Sequence, residues 1–371
     1  MKSPRLAFYV LTSLVFALTS AARNLIIDTD LFSDVDDAGA LLLAATTPHT
    51  NLLAVAVNYP SSFSALAASA ILAHYGHPST PIGIRRPLTN ATFFDNRSYE
   101  LGEYTSKIAF QFSGGSLPWG HAEEAWDPVT LYRKALAEAE DGSVTIASIG
   151  FLDNVSFSPP RATYCPEDST KATLTQLCAL LNSTSDTYST LNGHDLVSRK
   201  VSELVIMGGG YPTGRPSWNF WGSGNVSLAA HVVHTWPGRV VFAGTDVGKH
   251  VLTGGPLMME GPKTDPVRMA YMYYSPFKAR PSWDPLVVSY AMDGLRALFT
   301  FGNEYGYNQI EPDGSNRWIW DESVKTQFFL RLKVDNATAA AHVDDLFLRG
   351  ARSTVKRSEG NTQPAAAHVE L

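Results

Sequence analysis

Five aspartates lie close together in the segment IIDTDLFSDVDDAGALLLAA, which runs from Ile26 to Ala45. They are Asp28, Asp30, Asp34, Asp36 and Asp37. Two unit charges about 4 Å apart repel by about 4 kcal/mol at an effective dielectric near 20. A positive group is therefore expected among these carboxylates. Carboxylate oxygens favour a hard cation, so Ca²⁺ is the first candidate and Mg²⁺ the second.

A zinc site, an EF-hand loop and a helix N-terminus each fit the aspartate cluster less well. No histidine or cysteine lies near it in sequence, which disfavours zinc. The segment also lacks the central glycine and the final glutamate of an EF-hand loop. A helix N-terminus stabilises nearby acids by about 0.3–1 kcal/mol each, which accounts for two aspartates but hardly for five.

Short apolar runs predict the strands that position these residues. They are near-continuous, as in parallel strands covered on both faces, and they span 25–27, 52–57, 144–149, 204–207 and 240–243. Helical patterns lie between them over 64–75, 128–140, 174–181 and 228–233. The alternation predicts an α/β fold with an open, mostly parallel sheet, helices on both faces and a Rossmann-like core.

Polar residues follow each predicted strand directly. In chain order they are Asp28 and Asp30, Asn58, residues 150–154, residues 208–210, and Thr245 with Asp246. Any one of them is explained as a loop residue or a helix cap. Ligands of open α/β sheets bind outside the carboxyl ends of the strands, so the five groups together predict one shared pocket.

The C-terminal third has weaker signals. Residues 303–318 are expected to form ordered loop and turn, and a helical pattern that includes Phe328, Leu330 and Leu332 is expected over 321–348. Residues 359–371 are expected to be disordered. We find no clear linker, so residues 23–358 are predicted to form a single domain.

Several segments resemble, in the same order, the inosine-uridine preferring nucleoside hydrolases. DTDLFSDVDDA is similar to that family's DTDPGxDDA motif, with two extra residues between the aspartate pairs. IASIGFLDNV, VIMGGG and VVFAGTDVG resemble later segments of the family. The resemblance covers roughly residues 25–348. It implies the family's fold and calcium-dependent hydrolysis of the N-glycosidic bond of ribonucleosides, which gives free base and ribose.

The resemblance also implies roles for matching residues. Asp30, Asp37 and Asp246 would bind calcium through their side chains, and Asp153 would bind it through its backbone oxygen. Asp30 would also deprotonate the attacking water. Asp36 would bind the ribose hydroxyls, Asn219 matches a ribose-binding asparagine, and Asn58 aligns loosely with another substrate-binding asparagine.

The half of the site that would face the nucleobase departs from the family pattern. Thr245 stands where some members have a histidine that helps the base depart, and Ser217 and Trp218 fill the region of a family glutamate. Trp218 and Trp221 could stack on a base or pack in the core. His250 could reach the site or serve as a structural residue.

The N-terminus has the features of a secretory leader. A basic MKSPR precedes a short apolar run and then the small residues TSAA, so residues 1–22 are predicted to be a signal peptide. The alternative, a membrane anchor, needs about 20 apolar residues, more than the run from Leu6 to Leu18 supplies. The protein is therefore expected to be secreted, with no membrane attachment after cleavage.

Six Asn-x-Ser/Thr sequons agree with secretion. They begin at Asn90, Asn96, Asn154, Asn182, Asn225 and Asn336. The two cysteines, Cys165 and Cys178, would form one short-loop disulfide in an oxidising compartment or remain buried thiols.

Charge limits the possible partners. The formal net charge of −6 and the lack of a dense basic run disfavour nucleic acid as a partner. The resemblance to the nucleoside hydrolases implies a small-molecule nucleoside instead. Monomer and homo-oligomer both stay open. Two alternative functions remain: a secreted calcium-containing protein that binds ribosides without turnover, and a haloacid dehalogenase-like phosphatase, whose nucleophile motif the DxD of Asp28 and Asp30 resembles.

Overall fold

The computed structural model describes residues 22–93, 102–151, 176–222 and 225–360. In chain order the strands are β1 (Arg23–Thr29), β2 (Thr50–Val57), β3 (Ile82–Ile84), β4 (Val144–Ser148), β5 (Val201–Met207), β6 (Thr213–Gly214), β7 (Arg239–Ala243), β8 (Leu252–Thr253), β9 (Arg280–Pro281), β10 (Phe299–Phe301), β11 (Tyr307–Ile310), β12 (Asn316–Ile319) and β13 (Gln327–Leu332).

Helices alternate with these strands. They are α1 (Asp36–Thr46), α2 (Ser62–His74), α3 (Thr105–Gln111), α4 (Pro128–Glu138), α5 (Gln176–Leu181), α6 (Gly193–Lys200), α7 (Trp218–Trp221), α8 (Val226–Thr235), α9 (Thr245–Gly248), α10 (Gly255–Glu260), α11 (Pro266–Tyr274), α12 (Trp283–Asp293) and α13 (Asn336–Gly360), with a short 3₁₀ helix at Ala122–Glu124.

Eight strands form the main sheet in the order β10-β13-β7-β5-β4-β1-β2-β3. The paired neighbours are parallel, except that β10 runs antiparallel to β13 at one edge. Strand β1 lies in the middle of the sheet, between β4 and β2. This arrangement confirms the predicted open, mostly parallel sheet.

Helices cover both faces of the sheet. One hydrophobic cluster joins one face to α1, α2 and α10–α13, and a second joins the other face to α4, α5, α6 and α8. The predicted strands were near-continuous in apolar residues because both of their faces are buried in this way. All five predicted strands form, with bounds that differ by one to three residues at their ends.

Two predictions for the C-terminal third are wrong in part, although residues 336–348 are helical, as expected, because they lie in α13. Residues 327–332 form β13, where a helical pattern was expected, because Phe328, Leu330 and Leu332 alternate with a period of two and the strand pairs between β10 and β7. Residues 303–318 are more than loop and turn, since β11 and β12 pair as an antiparallel hairpin.

The hairpin of β11 and β12 is joined to a distant part of the chain. Strand β12 pairs with β6, and the side chain of Asn316 bonds both the backbone N–H and the backbone oxygen of Gly210, at 2.9 and 3.0 Å. The backbone N–H of Ser217 donates to the oxygen of Gly314 in the hairpin turn. These contacts hold the segment that leads into α7.

Several predictions concern residues at or beyond the limits of the described chain. The leader lies almost entirely outside it, as do residues 361–371, and α13 continues to Gly360, past the predicted domain end. Cys178 is buried and disulfide-bonded, while Cys165 lies outside the described residues. Within the described ranges, no helix has the length and apolar character needed to cross a membrane.

Candidate active site

A cavity of about 480 Å³ opens at the carboxyl ends of the central strands. Five carboxylates line it: Asp30, Asp34, Asp36, Asp37 and Asp284. Asp30 follows β1, Asp36 and Asp37 open α1, and Asp284 lies in the first turn of α12. The β1–α1 segment therefore supplies four of these groups and a helix from the far end of the chain supplies the fifth.

Two helix N-termini stabilise the carboxylates. Asp36 and Asp37 occupy the first turn of α1. Asp36 Oδ2 also accepts hydrogen bonds from the backbone N–H groups of Trp283 and Asp284, at 3.0 and 3.1 Å, at the start of α12. Unpaired N–H groups and the helix dipole favour negative charge at both places.

Asp36, Asp37 and Asp284 form a candidate metal site, in which Asp36, expected to bind ribose, is present and Asp30, expected to bind calcium, is not. Each offers one carboxylate oxygen, and the three oxygens lie within 4.8 Å of one another. All three are buried, and Asp37 Oδ1 accepts a hydrogen bond from the Thr29 hydroxyl. Burial, followed by the neighbouring carboxylates, raises the pKa of Asp37 well above its ordinary value. Such a group is most stable as an anion when a cation lies beside it.

Asp30 lies at the same cavity but has a different environment. It is 5% exposed, and burial raises its pKa to about 7, while a hydrogen bond with the Trp218 side chain opposes that rise. A carboxyl group with a pKa near neutrality is suited to accept a proton at neutral pH.

Asp34 forms an ion pair with Arg280, a cationic side chain beside the cavity. Its Oδ2 lies 3.4 Å from Arg280 Nη2, and the guanidinium carbon of Arg280 lies 5.1 Å from the centre of the Tyr274 ring. The Tyr104 hydroxyl donates to the backbone oxygen of Asp34 at 2.6 Å, which fixes the loop. One guanidinium cannot neutralise five carboxylates, so the cavity remains acidic.

Asp28 and Asn58 lie beneath the cavity and do not line it. Asn58 Nδ2 donates to Asp28 Oδ1 and the Tyr132 hydroxyl donates to Asp28 Oδ2, each at 2.6 Å. Burial raises the pKa of Asp28 to about 7. Asn58 therefore supports the end of β1, and the expectation that it binds substrate is not met by its position.

The structure does not bring Asp246 to the carboxylate cluster. Asp246 is exposed and lines a second cavity of about 300 Å³, with Tyr211 and Arg331 among its neighbours. Its neighbour Thr245 lines the first cavity instead, because the turn of α9 after β7 directs the two side chains differently. Asp284, and not Asp246, lies with Asp36 and Asp37 in the candidate metal site. Asp153 lies outside the described residues.

Some of the expected substrate-binding residues line the cavity and others do not. Asn219 and Trp218 line the cavity, and Asn219 Nδ2 donates to the backbone oxygens of Ile149 and Met207 at 3.0 and 3.1 Å. Trp221 is not among the lining residues and packs against Trp218 with ring centres 5.0 Å apart. His250 is exposed and does not line the cavity.

Several residues of this region were missed from the sequence, among them Phe93, Tyr274, Arg280, Trp283 and Asp284. A signal for Asp284 was present in SWDPL, where an aspartate and a proline open an apolar helical run. It was overlooked because the prediction followed the ends of strands, whereas α12 supplies its carboxylate from a helix N-terminus.

Neither family models nor curated proteins match the chain in sequence. The fold is nevertheless similar to solved structures. An inosine-uridine preferring nucleoside hydrolase from Bacillus anthracis has a TM-score of 0.57 at 14% identity, covering 89% of this chain and 99% of the other.

A purine-preferring ribonucleoside hydrolase from Gardnerella vaginalis has a TM-score of 0.60 at 16% identity, covering 90% of this chain and 100% of the other. The type III effector protein XopQ, solved in complex with adenosine diphosphate ribose, has a TM-score of 0.61 at 13% identity, covering 89% and 95%. This chain therefore has the α/β fold of the nucleoside hydrolases.

Proposed function

We propose that the protein is a calcium-dependent hydrolase of the N-glycosidic bond of ribonucleosides, giving free base and ribose. One observation carries the proposal: a buried triad of carboxylates that could hold a metal ion lies beside a separate carboxyl group, Asp30, in one cavity at the carboxyl edge of a nucleoside hydrolase-like sheet. This combination supplies a place for a cation and a proton acceptor next to it.

The donor set fits calcium. Asp36, Asp37 and Asp284 offer hard oxygen ligands, and none of the residues that line the cavity in the described chain is a histidine or cysteine. Oxygens bound to one calcium ion at about 2.3–2.6 Å lie at most about 5 Å apart. The spacing within the triad satisfies this limit. When bound, the ion would supply Lewis-acid polarisation and orient the ribose hydroxyls.

Asp30 is the proposed general base. Its carboxylate lines the cavity beside the triad, where it accepts a proton from the water that attacks C1′ of the ribose. The Trp218 side chain holds the Asp30 carboxylate through their hydrogen bond. The other carboxylates of the cavity stabilise the positive charge that develops on the sugar.

The phosphatase alternative has little support in this geometry. Its nucleophile would be Asp28, which is 1% exposed, is bonded by Asn58 and Tyr132 and is not among the cavity-lining residues. A riboside-binding protein without turnover remains the second candidate. The similarity to an effector protein solved with adenosine diphosphate ribose favours keeping it.

Secretion and glycosylation also belong to the proposal. They rest on the basic and apolar leader and on the sequons. The disulfide of Cys178 is consistent with an oxidising compartment. We therefore propose that the enzyme acts outside the cell.

One assay separates the candidates. The purified secreted protein is incubated with a panel of nucleosides and with p-nitrophenyl phosphate, in calcium and in excess chelator. We expect free base and ribose in calcium only. Release of phosphate would favour the phosphatase, and binding of ribosides without cleavage in calcium would favour the binding protein.

A further inference from the structure

The cavity has more negative charge than one metal ion can balance. Five carboxylates line it; the Arg280 guanidinium and one divalent cation would leave two negative charges uncompensated. One of the five, Asp34, belongs to the lengthened loop between the aspartate pairs and lies outside the metal triad. A cleft lined by one sign of charge concentrates ligands of the opposite sign.

Aromatic rings supply the remaining large walls of the cavity. Phe93, Trp218, Tyr274 and Trp283 all line it. Trp218 is 41% exposed, and its ring packs against Trp221 and Phe151. A planar cation over the face of an aromatic ring gains energy beyond ordinary burial, most of all over tryptophan.

The cavity offers a departing base few proton donors, and one of them, the Tyr274 hydroxyl, is already hydrogen-bonded to the Asp34 carboxylate. Lysine, arginine and histidine are absent from the cavity-lining residues of the described chain, and the Trp283 indole N–H already donates to the Thr245 oxygen at 2.9 Å. A neutral nucleobase leaves with a negative charge unless it is protonated. Next to five carboxylates such a charge would be strongly disfavoured.

We propose that the preferred substrates are N-ribosides whose base is a cation, with the glycosidic nitrogen quaternised in an aromatic ring, as in ribosyl pyridinium compounds. This inference rests on the proposed hydrolase function and deepens it. A cationic base is attracted by the acidic, aromatic cavity. It also departs as a neutral molecule, so it needs no acid.

The chemistry balances without a further reactant. The C1′–N bond breaks and its electron pair neutralises the ring nitrogen. The oxygen of water forms the new bond to C1′, and Asp30 takes the proton that this water loses. The products are ribose and a neutral aromatic base, and the proton later passes from Asp30 to solvent.

The test compares substrates that share a shape and differ in charge. The riboside of nicotinamide is the cationic probe, its dihydro form is the neutral match, and uridine and inosine are neutral nucleosides. kcat/KM is measured for each at mildly alkaline pH in calcium. We expect the cationic riboside to be preferred by about tenfold or more, on the scale of one charge interaction in a partly buried site.

A variant pair separates cavity charge from the greater intrinsic reactivity of cationic ribosides. Asp34→Asn removes a negative charge from the cavity and should lower the ratio of cationic to neutral kcat/KM by about tenfold. Asp246→Asn removes an exposed carboxylate of the second cavity and should leave the ratio unchanged. An equal ratio in Asp34→Asn and wild type would overturn the proposal.

Binding supplies a readout without turnover. Calorimetry on the calcium-loaded wild type compares 1-methylnicotinamide, a pyridinium cation, with neutral nicotinamide, and we expect the cation to bind about tenfold or more tightly. Equal binding, or good cleavage of uridine and inosine with no preference for the cation, would overturn this inference and leave the hydrolase function intact. Failure to cleave any riboside would overturn both.

Discussion

The backbone N–H of Asp284 donates to the carboxylate of Asp36 at 3.1 Å, so one member of the metal triad holds the backbone of another. The first turn of α12 is thereby joined to the first turn of α1, although the two residues lie far apart in the chain. Both helix N-termini then face the same group of oxygens, and this arrangement decides which aspartate completes the metal site.

We expect Asp284→Asn to weaken calcium binding by about 100-fold or more. Loss of a residue that only orients a metal ligand commonly lowers metal affinity by about 10–100-fold, and loss of a direct ligand should cost at least as much. Titration calorimetry of chelator-treated protein measures the affinity. Asp246→Asn is the matched control and should bind calcium like wild type, since Asp246 is exposed and lines the second cavity. If Asp246→Asn weakened calcium binding and Asp284→Asn did not, the ligand set inferred from the sequence, which includes Asp246, would be supported instead.

We expect Asp30→Asn to lose about 10²–10⁴ in kcat while binding ribosides nearly as well as wild type. Asparagine keeps an oxygen at this position but cannot accept the proton of water. Single-turnover rates and riboside dissociation constants measure the two effects separately. Full activity in this variant would place water activation elsewhere.

The sequence predicted the central sheet well because each central strand is apolar on both faces, a pattern that few other structures produce. It also located Asp30, Asp36 and Asp37, whose local spacing already brings them together. It missed Asp284 and Arg280, because their approach to the cavity depends on how α12 and the segment before it pack against α1. Asp246 was misplaced for the same reason: a strand end indicates an edge of the sheet but not the direction of each side chain.

We expect Tyr132→Phe to lower the free energy of unfolding by about 1–3 kcal/mol, because it removes a hydrogen bond to the buried carboxyl group of Asp28. Tyr211→Phe is the matched control. The Tyr211 hydroxyl is buried and has no hydrogen-bond partner in the described structure, so its removal should be neutral or stabilising. Denaturant unfolding compares the two variants. An equal loss of unfolding free energy in both would contradict a stabilising role for the hydrogen bond from Tyr132 to Asp28.

Asp344 gives a pH dependence with a definite sign. Burial raises its pKa from 3.8 to about 6, so between these values the folded protein binds a proton that the unfolded chain releases. This group's contribution to stability is therefore lost as the pH rises through that window.

The Asp344→Asn variant keeps an oxygen that can accept the hydrogen bond from the Gly254 N–H. We expect it to gain stability relative to wild type as the pH rises from about 4 to about 6. Urea unfolding at both ends of the window measures the difference. The adjacent, exposed Asp345 provides the control variant Asp345→Asn, which should show a smaller change. A difference in stability between Asp344→Asn and wild type that does not change with pH would refute the prediction.

We expect the secreted protein to begin near Ala22 or Arg23 and to have glycans at Asn90 and Asn336, whose side chains are exposed. Asn225 is half-buried and should be less occupied. Intact mass before and after deglycosylation, with peptide mapping, identifies the sites. A mass that does not change on deglycosylation would count against the secretory route.

The bonds of Asn316 to Gly210, and of Ser217 to Gly314, attach one wall of the cavity to a hairpin about a hundred residues further along the chain. The turn of that hairpin, residues 311–315, does not line the cavity in the described chain, yet its bond to Ser217 holds the residue that precedes Trp218 and Asn219. Mutational change in this turn can therefore shift the wall of the cavity that Trp218 and Asn219 form, while the carboxylate cluster, held by β1, α1 and α12, stays unaltered. If the proposed hydrolase activity holds, libraries built on these few positions would offer a route to new selectivity without change to the carboxylates.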